Sequence, residues 1–463
     1  MSGYSNVTYE EIQLGATATA ERVVGQTEIE ALLLVSGDVV PFHVGEDGEP
    51  AERDELYVDA VAAEAIISGM LERRLPGPGT RIVSQKFEFD GRIHVGDHVR
   101  ATVTAKLKHP EKRRVLFECL VEAAGHPILR GEVIVEAPQR KAEFPEMERP
   151  EFVVRRNDIF LRLLRRCEPL PPVTCAVAHP CDRNSLLGAI EAARRKLIVP
   201  VLVAPAARVH AVAAALGVDI SGFRLVDTEH SHASAAAAVA LARNGEVDSL
   251  MKGSLHTDEI MGAVLSSQNG LRTERRVSHV FVMDVPAYDR MLFVTDAAIN
   301  IEPTLKEKAD IAQNAIDLAR SLGVETPKVA IMSAVETVNP ELQSTIDAAA
   351  LCKMADRGQI TGAILDGPLA FDNAISEFAA RTKSIKSPVA GKADILLVPN
   401  IEAGNMLAKQ LQYFAGADSA GIVLGARVPV ILTSRADNVR MRIGSAAVAK
   451  LLVHARRAGA LKH

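Results

Sequence analysis

Beyond residue 173, short runs of valine and isoleucine alternate with longer amphipathic stretches. Residues 174–178, 198–204, 329–332, 360–365, 395–398 and 428–433 are apolar at nearly every position, the mark of strands buried on both faces. Between them, residues 186–196, 209–216, 233–243, 305–321 and 344–357 repeat their apolar positions at helical spacing. This order predicts a parallel α/β sheet, with ligands held at the carboxyl ends of its strands. Before residue 140 the pattern differs. β-rich runs at 81–89, 97–107, 114–123 and 128–136 are separated by Asp90-Gly91, His109-Pro110 and Ala124-Gly125. The Ala-rich stretch 60–74 reads as a helix that stops at Pro76-Gly77-Pro78-Gly79. One helix followed by four strands predicts an α+β unit, a sheet wrapped on a helix. Residues 137–150 contain three prolines and have no apolar period, so they read as a linker, and 157–167 reads as a short helix.

Composition narrows the class. The chain has 463 residues, 48% of them hydrophobic, which excludes global disorder and predicts two to four domains. The net charge of −5, with no long basic block, argues against nucleic acid or an anionic membrane as partner. No apolar run approaches the ~20 residues of a membrane span. The first residues are polar and acidic and do not read as a secretory signal. Cys119, Cys167, Cys175, Cys181 and Cys352 are scattered and form no CxxC pair, so neither a disulfide framework nor a zinc knuckle is expected. A cytoplasmic globular protein is the expectation.

Four segments after strands carry candidate chemistry. In Met251-Lys252-Gly253-Ser254-Leu255-His256-Thr257, a lysine, a glycine and hydroxyls precede a helix, which suits an anion held by backbone N–H groups, or a plain turn and cap. Asp366-Gly367-Pro368 leads to Asp372-Asn373 and reads equally as a turn. Glu402-Ala403-Gly404-Asn405 sits ahead of a helix at 406–414, where a glycine lets a ligand approach the backbone. Ser434-Arg435-Ala436-Asp437 follows a strand and brings a hydroxyl and a guanidinium together. Arginine grips phosphate through two parallel hydrogen bonds, while a surface pair with Asp437 is the simpler reading.

Taken together, these segments resemble the phosphate acetyl/butyryltransferase family, leaning to its butyryl-type branch. The resemblance rests on LMKGSLHT, GLRTERRVSHV, DGPLAFDNAIS, VPNIEAGNMLAKQL and LTSRAD, in the family's order. It implies two α/β lobes around a cleft, like isocitrate and isopropylmalate dehydrogenases. It also implies reversible conversion of acyl-CoA and phosphate to acyl phosphate and CoA, with no cofactor beyond these substrates. Ser434 and Arg435 fall on the family's Ser-Arg site. Acetyl-type members place an Asp several residues later, whereas here the stretch is Asn438-Val439-Arg440-Met441-Arg442, leaving Asp437 as the nearest carboxylate. Lys252, Gly253, His256, Thr257, Arg272, Asp366, Asn373, Glu402, Gly404 and Asn405 are the expected substrate-binding residues. Arg272, Arg275 and Arg276 suit CoA phosphates, or form a solvated basic turn. His230 and His232 are spaced like a metal pair but lack supporting ligands, so a helix-start role is expected, with no metal.

Nearer the N-terminus, Asp38 and His43 stand five apart, and a carboxylate and an imidazole flanking one water can act as a general acid–base pair. Residues 7–138 resemble the MaoC-like (R)-enoyl-CoA hydratases of the hotdog fold, through SGD, LPGPGT, SQKFEF and VGDHVRATVTA. The resemblance puts Asp38 and His43 on the catalytic pair. Two departures stand out: the family's Asn-Pro-Leu-His is Val40-Pro41-Phe42-His43, and its Ala-His-Gly is Val58-Asp59-Ala60. The expected organisation is a hotdog hydratase domain at 1–138, a linker at 139–156 and a phosphate acyltransferase domain at 157–463, in a homo-oligomer. Three readings compete: a bifunctional hydratase/acyltransferase; an acyltransferase with a noncatalytic acyl-CoA-binding or oligomerisation hotdog; and a metal- and nicotinamide-dependent decarboxylating dehydrogenase. The third needs metal-binding aspartates and a nucleotide-site glycine run, and the sequence has neither.

Overall fold

The computed structural model describes residues 4–25, 28, 31–32, 57–58, 61–94, 96–144, 159–433 and 438–459. The chain divides into two compact units, Met1–Val154 and Arg155–His463.

In the first unit, β1 (Tyr4–Ser5), β2 (Thr17–Val23) and β3 (Tyr57–Val58) precede helix α1 (Val61–Arg73). Then come β4 (Arg81–Phe89), β5 (Ile93–His94), β6 (His98–His109), β7 (Arg114–Ala123), β8 (His126–Glu136) and β9 (Glu143–Phe144). The main sheet has the order β2-β6-β7-β8-β4 and is antiparallel throughout. Alternation along β6 and β7 turns Val99, Ala101, Val103, Val115, Phe117 and Val121 inward, against Ala63, Ile67, Met70 and Leu71 of α1. The helix wrapped by a sheet is present, with β2 as a fifth strand that the sequence pattern did not single out. Part of the stretch expected to be a linker, Glu143–Phe144, is a strand. β9 pairs with β1, and the buried Asn6 donates to Pro78 O and Arg140 O and accepts from the Ala142 N–H.

The second unit opens with α2 (Ile159–Cys167), β10 (Val173–Ala178), α3 (Arg183–Arg194), β11 (Ile198–Ala204), α4 (Ala206–Leu216) and β12 (Arg224–Asp227). It continues through α5 (Ser231–Arg243), β13 (Ser249–Lys252), α6 (Thr257–Val264), β14 (Ser278–Asp284), β15 (Leu292–Thr295) and α7 (Leu305–Ser321). Next are β16 (Lys328–Met332), α8 (Gln343–Asp356), β17 (Ile364–Leu369), α9 (Phe371–Ile375) and α10 (Glu377–Thr382). The last elements are β18 (Ile395–Leu397), α11 (Ile401–Tyr413), β19 (Asp418–Leu424), β20 (Val430–Ile431) and α12 (Val439–Arg457).

All eleven strands join one sheet, β12-β11-β10-β13-β20-β19-β14-β15-β18-β16-β17. It is mixed rather than parallel. β12, β11, β10, β13 and β20 form one parallel block, and β15, β18, β16 and β17 form another. β19 and β14 lie between them, each antiparallel to both neighbours, so the two blocks point in opposite directions. Where two α/β lobes were expected, a continuous sheet therefore runs through both blocks. No helix among the described residues is long and apolar enough to cross a membrane.

Candidate active site

At the carboxyl ends of β10, β13 and β20 three segments meet. Ala178 stands level with Lys252, and Met251 with Ile431. Just past β10, His179 takes the left-handed conformation at φ 56°, a cost a non-glycine residue bears mainly where structure over-determines it. Its carbonyl receives both the N–H and the hydroxyl of Ser254, at 2.9 and 2.8 Å. The Gly253 N–H donates to Ala178 O at 2.8 Å. A Cβ on Gly253 would lie 2.4 Å from Ala178 O and 2.5 Å from His179 O, so this crossing admits only glycine. The turn read as an anion cradle is thus first a tight strand-to-strand clasp.

Lys252, which closes β13 rather than lying in a loop, is only 3% exposed. Its Nζ lies 3.4 Å from Thr433 O and 3.5 Å from Gly253 O. His256 caps α6, its N–H donating to Glu259 Oε2 at 3.0 Å, and Thr257 opens the helix. Burial and the charge of Arg208 lower the His179 pKa, and its Nδ1 lies 3.1 Å from Ser234 Oγ.

A buried arginine that sequence reasoning passed over completes this group. Arg442, in the first turns of α12, is fully buried, with Nη1 3.4 Å from Lys252 O. A Cβ on Gly188 of α3 would lie 2.5 Å from Arg442 Cδ, so that glycine makes room for it. The sequence reading sought a carboxylate at 438–442, and the signal available was an arginine directly before the small, apolar run 443–449. Thr433 Oγ1 is buried and, among the described residues, has no partner. Ser434, Arg435 and Asp437 lie outside the described residues. In sequence they are bracketed by Thr433 and by Asn438, which caps α12 by accepting from the Met441 N–H.

A second group gathers at the carboxyl ends of β15 and β18. Here two sequence expectations are corrected. Glu402, Gly404 and Asn405 lie inside α11, which begins at Ile401 rather than at 406, because Asn400 caps it through the Ala403 N–H. Gly404 does not open the backbone to a ligand. It lets the helix settle on the preceding crossover, since a Cβ there would lie 2.6 Å from Asp296 O and 2.8 Å from Val398 Cγ2. Asn405 Nδ2 donates to Ala297 O, and Glu402 is exposed. Similarly, Asp366 belongs to β17 rather than to a loop, and its Oδ1 accepts from the Gly367 N–H. Asn373 in α9 is wholly buried, and among the described residues neither amide atom has a partner.

The sequence reading also missed Asp296. It is buried and accepts from the N–H groups of Ala298, Ile299 and Asn300 and from Asn300 Nδ2, pinning the loop after β15. Burial pushes its pKa up despite these donors. Its only sequence signal was an aspartate ahead of small residues.

Four strand spacings, about 19 Å at ~4.8 Å each, separate β13 from β15. The Lys252 and Asp296 groups are therefore not brought into one strand-end loop cluster. They share a face of the sheet instead. α6 packs with Val423 and Leu432, and α11 packs with Phe281 and Val294. Between the two helices the floor holds Gly421 and His279. A Cβ on Gly421 would lie 3.1 Å from His279 Nε2. Burial, aided by the charge of Lys409, pushes His279 down to about 3, so the ring is neutral; its Nδ1 has no partner among the described residues.

The basic turn is largely committed. Arg275 pairs with Asp317 at 2.6 Å, Arg276 pairs with Glu307 at 3.2 Å, and the exposed Arg272 bridges to Ala426 through its backbone. His230 caps α5, accepting from the Ala233 N–H, which is the helix-start role its spacing allowed. Cys175 and Cys181 are packed, and burial pushes Cys175 up to about 12. Asp38, His43, Asp59 and Ala60 lie outside the described residues.

Residues 233–450 match the family described as phosphate acetyl/butaryl transferase. A phosphate acetyltransferase from Rhizobium meliloti is 61% identical over 297 residues, covering 64% of this chain and 94% of that protein. A phosphate butyryltransferase from Clostridium beijerinckii is 43% identical over 293 residues, covering 63% of this chain and 97% of that protein. Among solved structures, a branched-chain phosphotransacylase from Enterococcus faecalis V583 superposes with a TM-score of 0.54 at 30% identity, covering 61% of this chain and 99% of that one. With such identity across nearly the whole of these relatives, the chain belongs to the phosphate acetyl/butyryltransferase family.

Proposed function

We propose that this chain interconverts acyl-CoA plus phosphate with acyl phosphate plus CoA, using the strand ends around Lys252 as its phosphate side. The observation that carries the reading is the pair of buried cations, Lys252 and Arg442, beside Thr433, from which residues 434–437 continue. A phosphate oxygen attacks the thioester carbonyl, the tetrahedral intermediate collapses, and the thiolate leaves and takes up a proton. Fixing phosphate in line with the thioester supplies most of what this chemistry needs, and Arg435 is suited to do so through its planar fork. The Ser434 hydroxyl or nearby backbone N–H groups serve the developing oxyanion. Asp437, the nearest carboxylate in the sequence, serves as the base that takes the proton of the CoA thiol in the reverse direction.

The second group, with Glu402 and Asn405 on α11, is assigned to the acyl-CoA side, together with Asp366 and the exposed Arg272, while Gly404 only seats the helix that carries them. Asn373 acts behind it, as a support. No metal or redox cofactor has a part in these steps. The exposed Met406, Tyr413 and Phe414, along and just beyond α11, support a homo-oligomer.

For Met1–Val154 the proposed reading is a MaoC-like hotdog hydratase domain. It is supported by the helix wrapped in a five-stranded antiparallel sheet and by the motif blocks around it. The Asp59-Ala60 replacement favours the second reading, a hotdog that binds acyl-CoA or holds an oligomer without catalysis.

Acyl-CoAs of C2 to C8 with millimolar phosphate or arsenate provide the test, following CoA release. Activity without added metal or nicotinamide is the expected result, and none on any chain length overturns the proposal. In Arg435→Lys, the charge stays but the fork is lost, so KM for phosphate should rise with a loss of about 1.5–3 kcal/mol in transition-state binding. An unchanged phosphate dependence in a folded variant places phosphate elsewhere.

A further inference from the structure

A second cluster of arginines surrounds a cavity of about 410 Å³ in the Arg155–His463 unit. Its walls come from the turn before β14, from α7, from the hairpin between β19 and β20, and from the last turns of α12. Arg275, Arg427 and Arg456 all line it. Two carboxylates line it as well, but Asp317 is spent: Oδ2 takes Arg275 and Oδ1 takes Gln313 Nε2. The other, Glu274, is exposed on the rim. Among the described residues neither Arg427 nor Arg456 forms an ion pair. The Arg456 guanidinium donates to Arg427 O at 3.4 Å.

Three guanidiniums around one cavity repel one another, and only one is answered directly by a carboxylate. Burial disfavours the Arg456 charge, Asp317 favours it and Arg275 opposes it, with a net lowering of its pKa. An arginine does not escape this by losing its proton. A bound anion among the three guanidiniums offsets that repulsion through charge-assisted hydrogen bonds. Leu424 and Leu452 give the cavity an apolar wall as well, and its volume exceeds what a bare oxyanion fills.

We propose that this cavity is a second anion site, which binds a phosphate group, either inorganic or carried on an adenosine. It is remote from Lys252: Arg442 and Arg456 lie 14 residues apart on α12, about 21 Å along the helix. The proposal does not depend on acyl transfer.

Equilibrium dialysis of the full chain with radiolabelled inorganic phosphate tests it. Wild type should bind one more phosphate per chain than Arg456→Gln, or should bind it at least about tenfold more tightly. The exposed Arg427→Gln, which carries little risk to folding, should weaken the same site. Arg243→Gln, an exposed arginine elsewhere, should change nothing. If adenosine 3′,5′-bisphosphate displaces the extra phosphate, the ligand is a nucleotide; if not, inorganic phosphate is. Equal stoichiometry and affinity in wild type, Arg427→Gln and Arg456→Gln overturn the proposal. The readout is the difference between proteins. A chain that binds one phosphate and loses it in Arg456→Gln supports this site even if CoA release fails.

Discussion

Gly253 shows how one residue couples fold to chemistry. A methyl group there would meet two backbone oxygens at 2.4 and 2.5 Å, and neither can swing aside as a flexible side chain would. Gly253→Ala should therefore cost about 1–3 kcal/mol in denaturant unfolding. It should also reduce phosphate-dependent CoA release by more than the stability loss accounts for, since Lys252 is the preceding residue. Full activity in a folded Gly253→Ala protein would detach Lys252 from the reaction. His279 supports a prediction of the opposite kind, one about stability alone. Its pKa falls from an ordinary 6.5 to about 3 because burial and Lys409 disfavour the charged ring. Between these values the unfolded chain binds the extra proton and the folded chain does not. The contribution is thus fully present above pH ~6.5 and is lost as pH falls towards 3, at about 1.4 kcal/mol per pH unit. Urea unfolding at pH 7 and pH 5 should show a smaller acid loss in His279→Gln than in wild type. An equal loss in both proteins would show that His279 is not the titrating group.

Lys450 of α12 joins whole elements. It is 1% exposed, and its Nζ donates to the last carbonyl of α2, at Cys167, and to Lys196 O beyond α3. Lys450→Met keeps the packing volume but strands two carbonyls, so unfolding free energy should drop by about 1–3 kcal/mol, while KM for both substrates stays. An unshifted denaturation midpoint would mean that other groups satisfy them. Elements of this kind were legible where pattern and environment agree. β4, β7 and α7 appear with the predicted bounds because each alternates or repeats against one core, and β11 does because its continuous apolar run is buried on both faces. Reading failed where tertiary contacts override local preference. Gly404 and Asn405 look like loop residues, yet the fit of Gly404 over Asp296 keeps the helix going. Asp366-Gly367-Pro368 looks like a turn, yet β17 continues through it, because an edge strand tolerates proline and its pairing with β16 is already irregular. Within the candidate site, Lys252 was legible from its neighbours. Arg442, His279 and Asp296 were not, since a polar residue in an apolar run reads as an exception until its burial is known.

At the scale of the whole molecule, what remains is whether one chain carries two chemistries on CoA thioesters. The first unit has the helix-on-sheet architecture that a hydratase of this kind needs, and its deciding residues are Asp38, His43, Asp59 and Ala60. If Asp38 and His43 run hydration, the full-length protein should hydrate crotonyl-CoA. General acid–base groups typically contribute ~10²–10⁴-fold, so Asp38→Asn or His43→Ala should lower the rate by about that much and leave CoA release with phosphate unchanged. Under that reading, Asp59 and Ala60, which stand where the hydratase motif has His-Gly, would set the scale of the wild-type rate. An oxyanion donor is worth ~10²–10³ in rate, and a carboxylate near the developing charge opposes it. Wild-type hydration should then be weak, and the double change Asp59→His with Ala60→Gly should raise it. Measuring all four proteins on crotonyl-CoA, with phosphate-dependent release as the internal control, separates the outcomes. A rate that falls in the knockouts and rises on restoration establishes a working acid–base pair short of its oxyanion donor. A negligible rate that none of the changes moves makes the domain noncatalytic. Binding of acyl-CoA and the oligomeric state of the full chain would then be the properties to measure, because a domain that adds no chemistry still changes how substrate and subunits are held.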